Sequence, residues 1–506
     1  MKNSTHVALD IGAESGRAIA ANWDGRRLAL EEIHRFPNGP IAVADSLRWD
    51  LPHLGHEIEH GLGLAAARFG DRIASVGVDT WGLDYVLMSR SDEVLGWPHC
   101  YRDPRTRGRV QELCDRVPRA EVFAATGCQF LEINTLCQWL AHTAQSPEVF
   151  AAAERFLLLP DWLNWSLCGS HVVEFTNATT TQFLNPHRRD WARELLTRLQ
   201  LPTHLLPSVV PPGTRLDLLR SSVRRRTGMR EVPVIAPATH DTGSAVAAVP
   251  TEHTGRSDWA YISSGTWSLV GIESAVPHLS AAALAANVTN EGGVEGTWRV
   301  LKNVTGLWLV QRCRQRFSER GGPTDYAQLA ALAAAIPGAG AWVDPDDPAF
   351  FNPPDMPAAI AQYCRQNSQP IPACEGALVR CVLESLALKY HVVLTELETL
   401  TGQRIEVIHI VGGGSRNSLL NQLTANATGR PVIAGPVEAT ALGNALLQLR
   451  SLGELSSLTE LRAAAAASET LGRFDPAPDP TGYWTAARQH YAHLLAAPPP
   501  PAATTP

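Results

Sequence analysis

The stretch that decides the fold lies near the start of the chain and reads Val7-Ala8-Leu9-Asp10-Ile11-Gly12-Ala13-Glu14-Ser15-Gly16-Arg17. Its apolar first half predicts a strand and its second half a tight turn, and Ala18-Ile19-Ala20-Ala21 predicts the returning strand. A tip rich in glycine and serine leaves backbone N–H groups free to bind phosphate, with Ser15 and Arg17 as added donors. A plain hairpin turn is the alternative at this point.

The same pattern recurs in the second half of the chain. Trp259-Ala260-Tyr261-Ile262 predicts a strand, Ser263-Ser264-Gly265-Thr266 a tip of small residues, and Trp267-Ser268-Leu269-Val270-Gly271 a returning strand. Two such hairpins, one opening each half, predict two related α/β domains that face each other across a cleft. Thr266 is then a candidate phosphate ligand, and Asp10, at the end of the first strand, is a candidate for holding a hydrated Mg²⁺ ion.

Length and charge agree with this two-domain interpretation. The chain has 506 residues, which is too many for one core, and its net charge of −7 argues against a nucleic-acid partner. Pro250 and Gly255 mark a boundary, so we expect an N-terminal domain over 1–248 and a C-terminal domain over 255–490. The Pro/Ala/Thr composition of 498–506 predicts a disordered tail.

Compartment and redox state follow from the apolar runs and the cysteines. No apolar run approaches the length of a membrane span and no signal peptide is evident, so we expect a cytoplasmic protein without a membrane partner. The nine cysteines form no C-x-x-C pair or other metal spacing. Cys364 and Cys381 can form a bridge if their backbones approach, but buried free thiols are favoured in a cytosolic chain.

The chemistry is predicted at Pro237-Ala238-Thr239-His240-Asp241-Thr242-Gly243-Ser244-Ala245. This stretch follows the β-branched run Val232 to Ala236, so Asp241 comes at the carboxyl end of a buried strand, where open α/β sheets bind their ligands. Asp241 can accept a proton from a hydroxyl, and the backbone N–H groups of the turn can face an anion. A structural Asp-Thr-Gly turn is the alternative.

A sugar-binding region is indicated after a second apolar strand, Ile73 to Asp79, which ends in Thr80-Trp81-Gly82-Leu83-Asp84-Tyr85. Gly82 allows a ligand to approach the backbone, Trp81 can lie against the apolar face of a sugar, and Asp84 can bind hydroxyls. A core position is the alternative for Trp81. The nearby segment Tyr101 to Arg105 is a charged loop, for which a solvated cluster is the favoured interpretation.

Two further polar segments admit two interpretations each. The run Thr176 to Gln182 either lines a pocket or forms a Thr-rich strand. Asn303, just ahead of an amphipathic helix at Gly306 to Arg312, is either a pocket amide or only a helix-start residue.

A nucleotide contact is indicated at Gly412-Gly413-Gly414. These glycines follow the buried strand Val407 to Val411 and precede a helix from about Asn417, so the backbone can approach a nucleotide closely. Another helix of small residues starts at Glu438. No Gly-Lys-Ser/Thr sequence occurs, so ATP would not bind through a P-loop.

Taken in order, these segments resemble the FGGY carbohydrate kinases over the chain to about residue 490, and most closely the members that act on L-rhamnulose. The matching blocks are Asp10 to Arg17, Thr80 to Tyr85, Tyr101 to Arg105, Thr176 to Gln182, His240 to Ala245, Ser263 to Ser268, Leu301 to Asn303, Gly306 to Gln311, Val411 to Gly414 and Gly435 to Asn444. The resemblance implies the duplicated, actin-like (ribonuclease-H-type) α/β ATPase fold with an interdomain cleft.

The resemblance also implies a reaction, namely ATP-dependent and Mg²⁺-assisted phosphorylation of L-rhamnulose on its 1-hydroxyl by a monomer or homodimer. Asp241 matches the catalytic base of the family. The positions that match its nucleotide contacts are Ala13, Glu14, Ser15, Gly16, Arg17, Thr266, Gln311 and Gly413. The positions that match its sugar contacts are Gly82, His240, Asp241, Thr242 and Asn303.

One departure and two rival functions accompany this resemblance. Glu14 replaces the small polar residue expected in the phosphate hairpin, and a carboxylate beside a triphosphate is unfavourable unless it points away or meets Mg²⁺. A kinase of the same fold for another ketose or polyol, such as fuculose or xylulose, is the alternative within enzymes. A non-catalytic sugar or nucleotide sensor is the alternative outside them, although it would be expected to lack the base that Asp241 supplies.

Overall fold

The computed structural model describes residues 3–496, so the tail predicted over 498–506 lies outside the described residues. The strands, in chain order, are β1 (Ser4–Ile11), β2 (Ser15–Trp23), β3 (Leu28–Pro37), β4 (Ile41–Val43), β5 (Ser46–Arg48), β6 (Ile73–Thr80), β7 (Tyr85–Met88), β8 (Arg155–Leu158), β9 (Val173–Glu174), β10 (Leu184–Asn185), β11 (Asp190–Trp191), β12 (Val209–Val210), β13 (Thr214–Leu218), β14 (Pro233–Ala236), β15 (Trp259–Ser264), β16 (Trp267–Ser274), β17 (Thr289–Gly292), β18 (Trp298–Thr305), β19 (Val407–Val411), β20 (Val432–Ala434) and β21 (Gly472–Phe474).

The α-helices, in chain order, are α1 (Leu51–Phe69), α2 (Arg109–Arg116), α3 (Arg119–Thr126), α4 (Thr135–Gln145), α5 (Pro147–Ala152), α6 (Leu159–Cys168), α7 (Phe175–Ala178), α8 (Arg193–Arg198), α9 (Ser221–Thr227), α10 (Asp241–Ala247), α11 (Ala281–Ala285), α12 (Trp308–Glu319), α13 (Tyr326–Ala334), α14 (Met356–Gln366), α15 (Glu375–Thr401), α16 (Ser418–Thr428), α17 (Ala439–Ser451), α18 (Leu458–Ser468) and α19 (Tyr483–Ala496). Within residues 3–496, no helix combines the length and the apolar character needed to cross a membrane.

The chain forms two compact units that alternate along the sequence. The first contains the described parts of Met1–Arg256 together with Glu273–Leu301 and Glu438–Thr470. The second contains Ser257–Ile272, Lys302–Val437 and the described part of Leu471–Pro506. A six-stranded sheet lies in the first unit, and strands β15, β19, β20 and β21 of a seven-stranded sheet lie in the second.

The first unit is organised around a six-stranded sheet in the order β13-β14-β6-β1-β2-β3. β1 pairs antiparallel with β2 and parallel with β6, and β14 runs parallel to β6. Nearly every residue of β1 and β6 is buried, because helices α1, α6 and α17 pack against these strands. Burial on both faces explains why these strands read as continuous apolar runs in the sequence.

The second unit repeats this plan. β15 pairs antiparallel with β16 and parallel with β19, which continues in parallel to β20, and β21 closes the edge. The 27-residue helix α15 buries an apolar face and ends before Gly402, whose φ of +67° is the left-handed conformation that glycine adopts without strain. The repeated hairpin that the sequence predicts is therefore confirmed.

At two positions where the sequence left two interpretations open, the structure excludes one of them. The run Thr176 to Gln182 is no strand, because the buried Glu174 side chain accepts from two backbone N–H groups and starts the short helix α7. Asn303 is no helix-start residue, because β18 continues through it to Thr305.

The cysteine prediction can be compared with the structure directly. Cys364 and Cys381 are both buried free thiols. The pKa of the Cys364 thiol lies below its ordinary value because Cys381 hydrogen-bonds to it. The two side chains are therefore neighbours without a bridge.

Candidate active site

Three carboxylates collect at the carboxyl ends of neighbouring parallel strands in the first unit. Asp10 near the end of β1 lies opposite Asp79 in β6. Asp241 follows β14, and the preceding His240 is bridged to Thr80 at the end of β6. Strand ends of this kind are where α/β sheets bind their ligands. The sheet topology thus brings together residues that lie far apart in the sequence.

Arg17 neutralises one side of this cluster. It lies opposite Asp10 in the β1–β2 hairpin and forms ion pairs with Asp10 and with Glu438, which precedes helix α17. Burial raises the pKa of Asp10, and the Arg17 guanidinium opposes this shift. At the tip of the same hairpin, Glu14 is exposed.

Asp79 is the most enclosed of the three carboxylates, with an exposed fraction of 0%. Its Oδ2 accepts from Asn444 Nδ2 at 2.5 Å, whereas its Oδ1 has no hydrogen-bond partner. Burial and the neighbouring Asp10 raise the pKa of Asp79 well above its ordinary value. An orphaned carboxylate oxygen beside a second carboxylate fits a hydrated divalent cation, whose charge would lower the cost of both burials.

Asp241 is accessible where Asp79 is not. It is the first residue of helix α10 instead of part of a turn, and its side chain is 32% exposed. Its Oδ1 accepts from Thr242 N at 2.5 Å and from Thr242 Oγ1 at 3.1 Å, and His240 Nε2 lies 3.5 Å away. The carboxylate is thus held through one oxygen and open to a ligand.

The predicted sugar region is more tightly packed than its sequence indicates. A methyl group on Gly82 would come within 3.0 Å of the Thr180 side chain, so the glycine permits this packing. Asp84 was expected to bind hydroxyls, but its oxygens accept from Trp49, Trp81, Gln138 and the Tyr101 backbone. Burial raises the pKa of Asp84 to about 6 against these hydrogen bonds. Trp81, only 7% exposed, is a core residue that packs against Trp49, with ring centroids 4.3 Å apart and an interplanar angle of 42°.

The glycine turn of the second unit is shaped by the tip of its hairpin. A methyl group on Gly414 would lie 2.0 Å from Ser264 Oγ, and one on Gly412 would lie 3.2 Å from Ser264 O. A methyl group on Gly413 would meet nothing within 4 Å. Gly412 and Gly414 are therefore needed by the protein itself, while Gly413 faces open space.

Two other predicted nucleotide residues of the second unit touch each other. Gln311 Nε2 on α12 donates to Thr266 Oγ1 at 3.2 Å, and Gln311 Oε1 is buried without a hydrogen-bond partner. Trp308 N donates to Thr266 O at 3.2 Å, so the start of α12 holds the hairpin tip. Asn303, the predicted sugar amide, lies half-buried in β18.

Several residues of the first-unit cluster were not predicted from the sequence. Asp79 had the same signal as Asp10, a carboxylate at the end of an apolar strand, and this signal could have identified it. Glu438 and Asn444 lie in a segment that was predicted only as a helix of small residues, and their contacts could not be predicted because their partners lie hundreds of residues earlier in the chain. Glu291 and Arg299, which contact His240, likewise read only as a loop residue and a strand residue.

Comparison with known proteins shows that both halves of the chain match domains of one protein family. Residues 5–248 match the N-terminal domain of the FGGY family of carbohydrate kinases, and residues 260–452 match its C-terminal domain. A rhamnulokinase from Bacteroides thetaiotaomicron is 43% identical over 488 residues, covering 96% of this chain and 99% of the relative. A rhamnulokinase from Klebsiella pneumoniae is 43% identical over 477 residues, covering 94% and 95%.

Solved structures agree on the fold. A ligand-bound xylulose kinase from Lactobacillus acidophilus has a TM-score of 0.80 at 15% identity and covers 97% of each chain. A Plasmodium falciparum glycerol kinase with ADP has a TM-score of 0.77 at 14% identity, covering 97% of this chain and 98% of the other. With its two-domain α/β fold and both domain matches, the chain belongs to the FGGY family of carbohydrate kinases.

Proposed function

We propose that the protein transfers the γ-phosphoryl group of ATP to the 1-hydroxyl of L-rhamnulose, giving L-rhamnulose 1-phosphate and ADP. The observation that carries this proposal is the 43% identity to a rhamnulokinase over 96% of the chain. Because the reaction consumes ATP and a small sugar, we assign it to the cytoplasm, and we expect a monomer or homodimer.

In this proposal Asp241 is the catalytic base. One carboxylate oxygen accepts the proton of the sugar hydroxyl as the hydroxyl oxygen forms its bond to the γ-phosphorus, and the bond to the β-phosphate oxygen breaks to release ADP. In a loose phosphoryl-transfer step the base mainly orients the hydroxyl and takes its proton late. The 32% exposure of the Asp241 side chain supports this role, since a substrate can reach it.

The other proposed roles follow the family positions. In the first unit, Ala13 to Arg17 would bind phosphate, and Gly82, His240 and Thr242 would bind the sugar. In the second unit, Thr266, Gln311 and Gly413 would bind the nucleotide. Asn303 would bind the sugar. We accordingly propose a domain over 1–248 with the base and a domain over 255–490 with most of the nucleotide contacts.

The donor set of the first unit fits Mg²⁺. Asp10, through water, and the orphaned Oδ1 of Asp79 would hold the ion. A bound Mg²⁺ supplies positive charge that neutralises the phosphate oxygens during transfer. Arg17, which already pairs with Asp10, adds a fixed positive charge on the same hairpin.

A substrate panel tests the proposal. The enzyme is incubated with ATP and L-rhamnulose, L-fuculose, D-xylulose or glycerol, ADP release is followed, and the product is identified by ³¹P NMR. We expect the highest kcat/KM with L-rhamnulose and a phosphate on the 1-oxygen. A higher kcat/KM with another ketose or polyol would reassign the substrate, and binding of L-rhamnulose without ADP release would indicate a sensor.

A further inference from the structure

Two buried charges that the proposed chemistry does not use lie directly behind His240. Arg299 on β18 is 0% exposed and Glu291 on β17 is 4% exposed. The two residues are paired across the β17–β18 ladder, and Arg299 Nη1 lies 3.1 Å from Glu291 Oε2. Burying an ion pair costs more desolvation energy than a well-packed apolar pair would, so the pair calls for a reason beyond stability.

The reason suggested by the geometry is the imidazole of His240. Arg299 Nη2 lies 3.2 Å from His240 Nδ1 with hydrogen-bond geometry. Glu291 Oε2 lies 3.2 Å from the same nitrogen, but this oxygen has no partner with hydrogen-bond geometry. A second Arg299 hydrogen bond, from Nε to Gly292 O at 2.8 Å, fixes the plane of the guanidinium.

This contact determines which nitrogen of His240 carries the proton. A guanidinium has five N–H donors and no acceptor, so Nδ1 facing Arg299 must be the accepting nitrogen. The proton of the neutral ring is then on Nε2, which lies 3.5 Å from Asp241 Oδ1. Since a ring tautomer is set by the hydrogen bond that its other nitrogen makes, Arg299 selects the tautomer that faces Asp241.

Glu291 supplies the matching negative charge. Burial would raise the pKa of Glu291, but the Arg299 guanidinium opposes this effect and the pKa lies below its ordinary value. The ionised carboxylate therefore balances the guanidinium inside the protein. Without it, Arg299 would be an unpaired buried cation, which proteins avoid by moving the side chain or admitting water.

We propose that Arg299 and Glu291 are positioning residues that hold His240 as the Nε2–H tautomer, aimed at the carboxylate of Asp241. The proposal rests on the role of Asp241 as the base. Thr242 donates two hydrogen bonds to Oδ1 of Asp241, and His240 Nε2 lies 3.5 Å from the same oxygen. Oδ2 is therefore left to the sugar hydroxyl. Glu291 and Arg299 thus orient the base through His240 without touching substrate themselves.

The first test compares two buried Arg–Glu pairs of the first unit. Arg462 and Glu273 form a matched pair, 1% and 4% exposed by side chain, with Nη2 to Oε1 at 2.8 Å. We expect Arg299→Lys and Glu291→Gln to lower kcat by about tenfold or more while the KM for ATP changes less than about twofold. Arg462→Lys should lower the melting temperature comparably but keep kcat within about twofold of wild type. Equal losses of kcat in Arg299→Lys and Arg462→Lys would overturn the proposal.

The second test asks whether Arg299 acts through His240. In the cycle of His240→Ala, Arg299→Lys and the double variant, the loss of kcat in the double variant should equal the larger single loss within about twofold. Losses that multiply in full would contradict the proposal, because the two side chains would then act independently. Melting curves accompany each variant, and kcat is compared among folded proteins only.

The third test observes the tautomer itself. The chain has 17 histidines, so ¹⁵N-histidine-labelled enzyme is recorded with His240→Gln as the assignment control. We expect a proton on Nε2 and none on Nδ1 of His240 in wild type, and a mixture of tautomers in Arg299→Lys. A proton on Nδ1 in wild type would overturn the proposal. This readout needs no substrate, whereas failure of the proposed function would appear as a wild type without turnover on L-rhamnulose.

Discussion

The two hairpins share a backbone plan and differ in charge. In β1–β2, Asp10 lies opposite Arg17, and Glu438 adds a third charge. In β15–β16, Ser264 lies opposite Ser268, whose hydroxyl shares a 2.7 Å hydrogen bond with Tyr390. The comparison teaches that a repeated fold element need not repeat its chemistry. The charged hairpin belongs to the sheet that carries Asp79, and Asp241 follows strand β14 of that sheet, whereas the neutral hairpin packs against a glycine turn.

The largest loss of kcat is expected from Asp241→Asn, in the unit that carries the charged hairpin. Asparagine keeps the size and one acceptor oxygen but cannot take the sugar proton at neutral pH, so kcat should fall by about 10²-fold or more. Initial rates and melting curves on the same preparation measure this. Asp217→Asn, which alters an exposed carboxylate on β13, is the control and should leave kcat unchanged. A folded Asp241→Asn enzyme with near-normal turnover would remove Asp241 from the chemistry.

In the glycine turn beside the neutral hairpin, Gly413→Val should raise the KM for ATP by about tenfold and leave the KM for the sugar nearly unchanged. The side chain would point into open space, so it hinders only a ligand. Gly414→Ala is the matched control, since its methyl group would collide with Ser264 and should lower the melting temperature. An unchanged KM for ATP in a folded Gly413→Val enzyme would exclude Gly413 from the nucleotide site.

A smaller loss of activity is expected when the charged hairpin loses one of its ion pairs than when Asp241 or Gly413 is changed. Glu438→Gln leaves Arg17 with one carboxylate and frees it to rotate, so kcat/KM for ATP should fall about fivefold, or ~1 kcal/mol. Ser268→Ala, which removes the neutral bond to Tyr390, should change it less than about twofold. Steady-state kinetics on both variants measure these changes. Equal changes in kcat/KM for ATP would contradict a functional difference between the charged and the neutral hairpin.

The smallest effect on activity is expected from His6, on the first strand of the charged hairpin. Burial lowers the pKa of His6 to about 4, so the unfolded chain binds its proton more readily than the folded chain does. Stability should therefore fall by about 3 kcal/mol as the pH drops from about 6.5 to 4. His6→Gln should flatten this part of the melting-temperature profile without changing turnover at neutral pH. Parallel profiles for the two proteins would exclude His6 as the cause.

Much of the fold could be predicted from the sequence because the decisive signals are local. Buried strands such as β1 and β19 are continuous apolar runs that end in glycine or a carboxylate, and the two hairpins repeat this pattern. Where the outcome depended on a distant or buried side chain, prediction failed. The helix at Phe175–Ala178 forms because Glu174 caps it, which a count of threonines does not reveal.

The candidate site divides in the same way. Asp10 and Asp241 end local apolar patterns and could be singled out, although their roles remain predictions. The partners of Arg17 and Asp79 could not, because Glu438 lies 421 residues after Arg17 and Asn444 lies 365 residues after Asp79. Only the packing of α17 on β1 and β6 brings these side chains together.

We propose that Asp241 and the charged β1–β2 hairpin of the first unit perform the chemistry, whereas the glycine turn at 412–414 contributes nucleotide affinity. Calorimetric titration of ATP into Asp241→Asn and Gly413→Val, side by side with wild type, tests it most directly. We expect a Kd for ATP within about twofold of wild type in Asp241→Asn and about tenfold weaker in Gly413→Val. Weakened ATP binding in Asp241→Asn together with unchanged binding in Gly413→Val would contradict it.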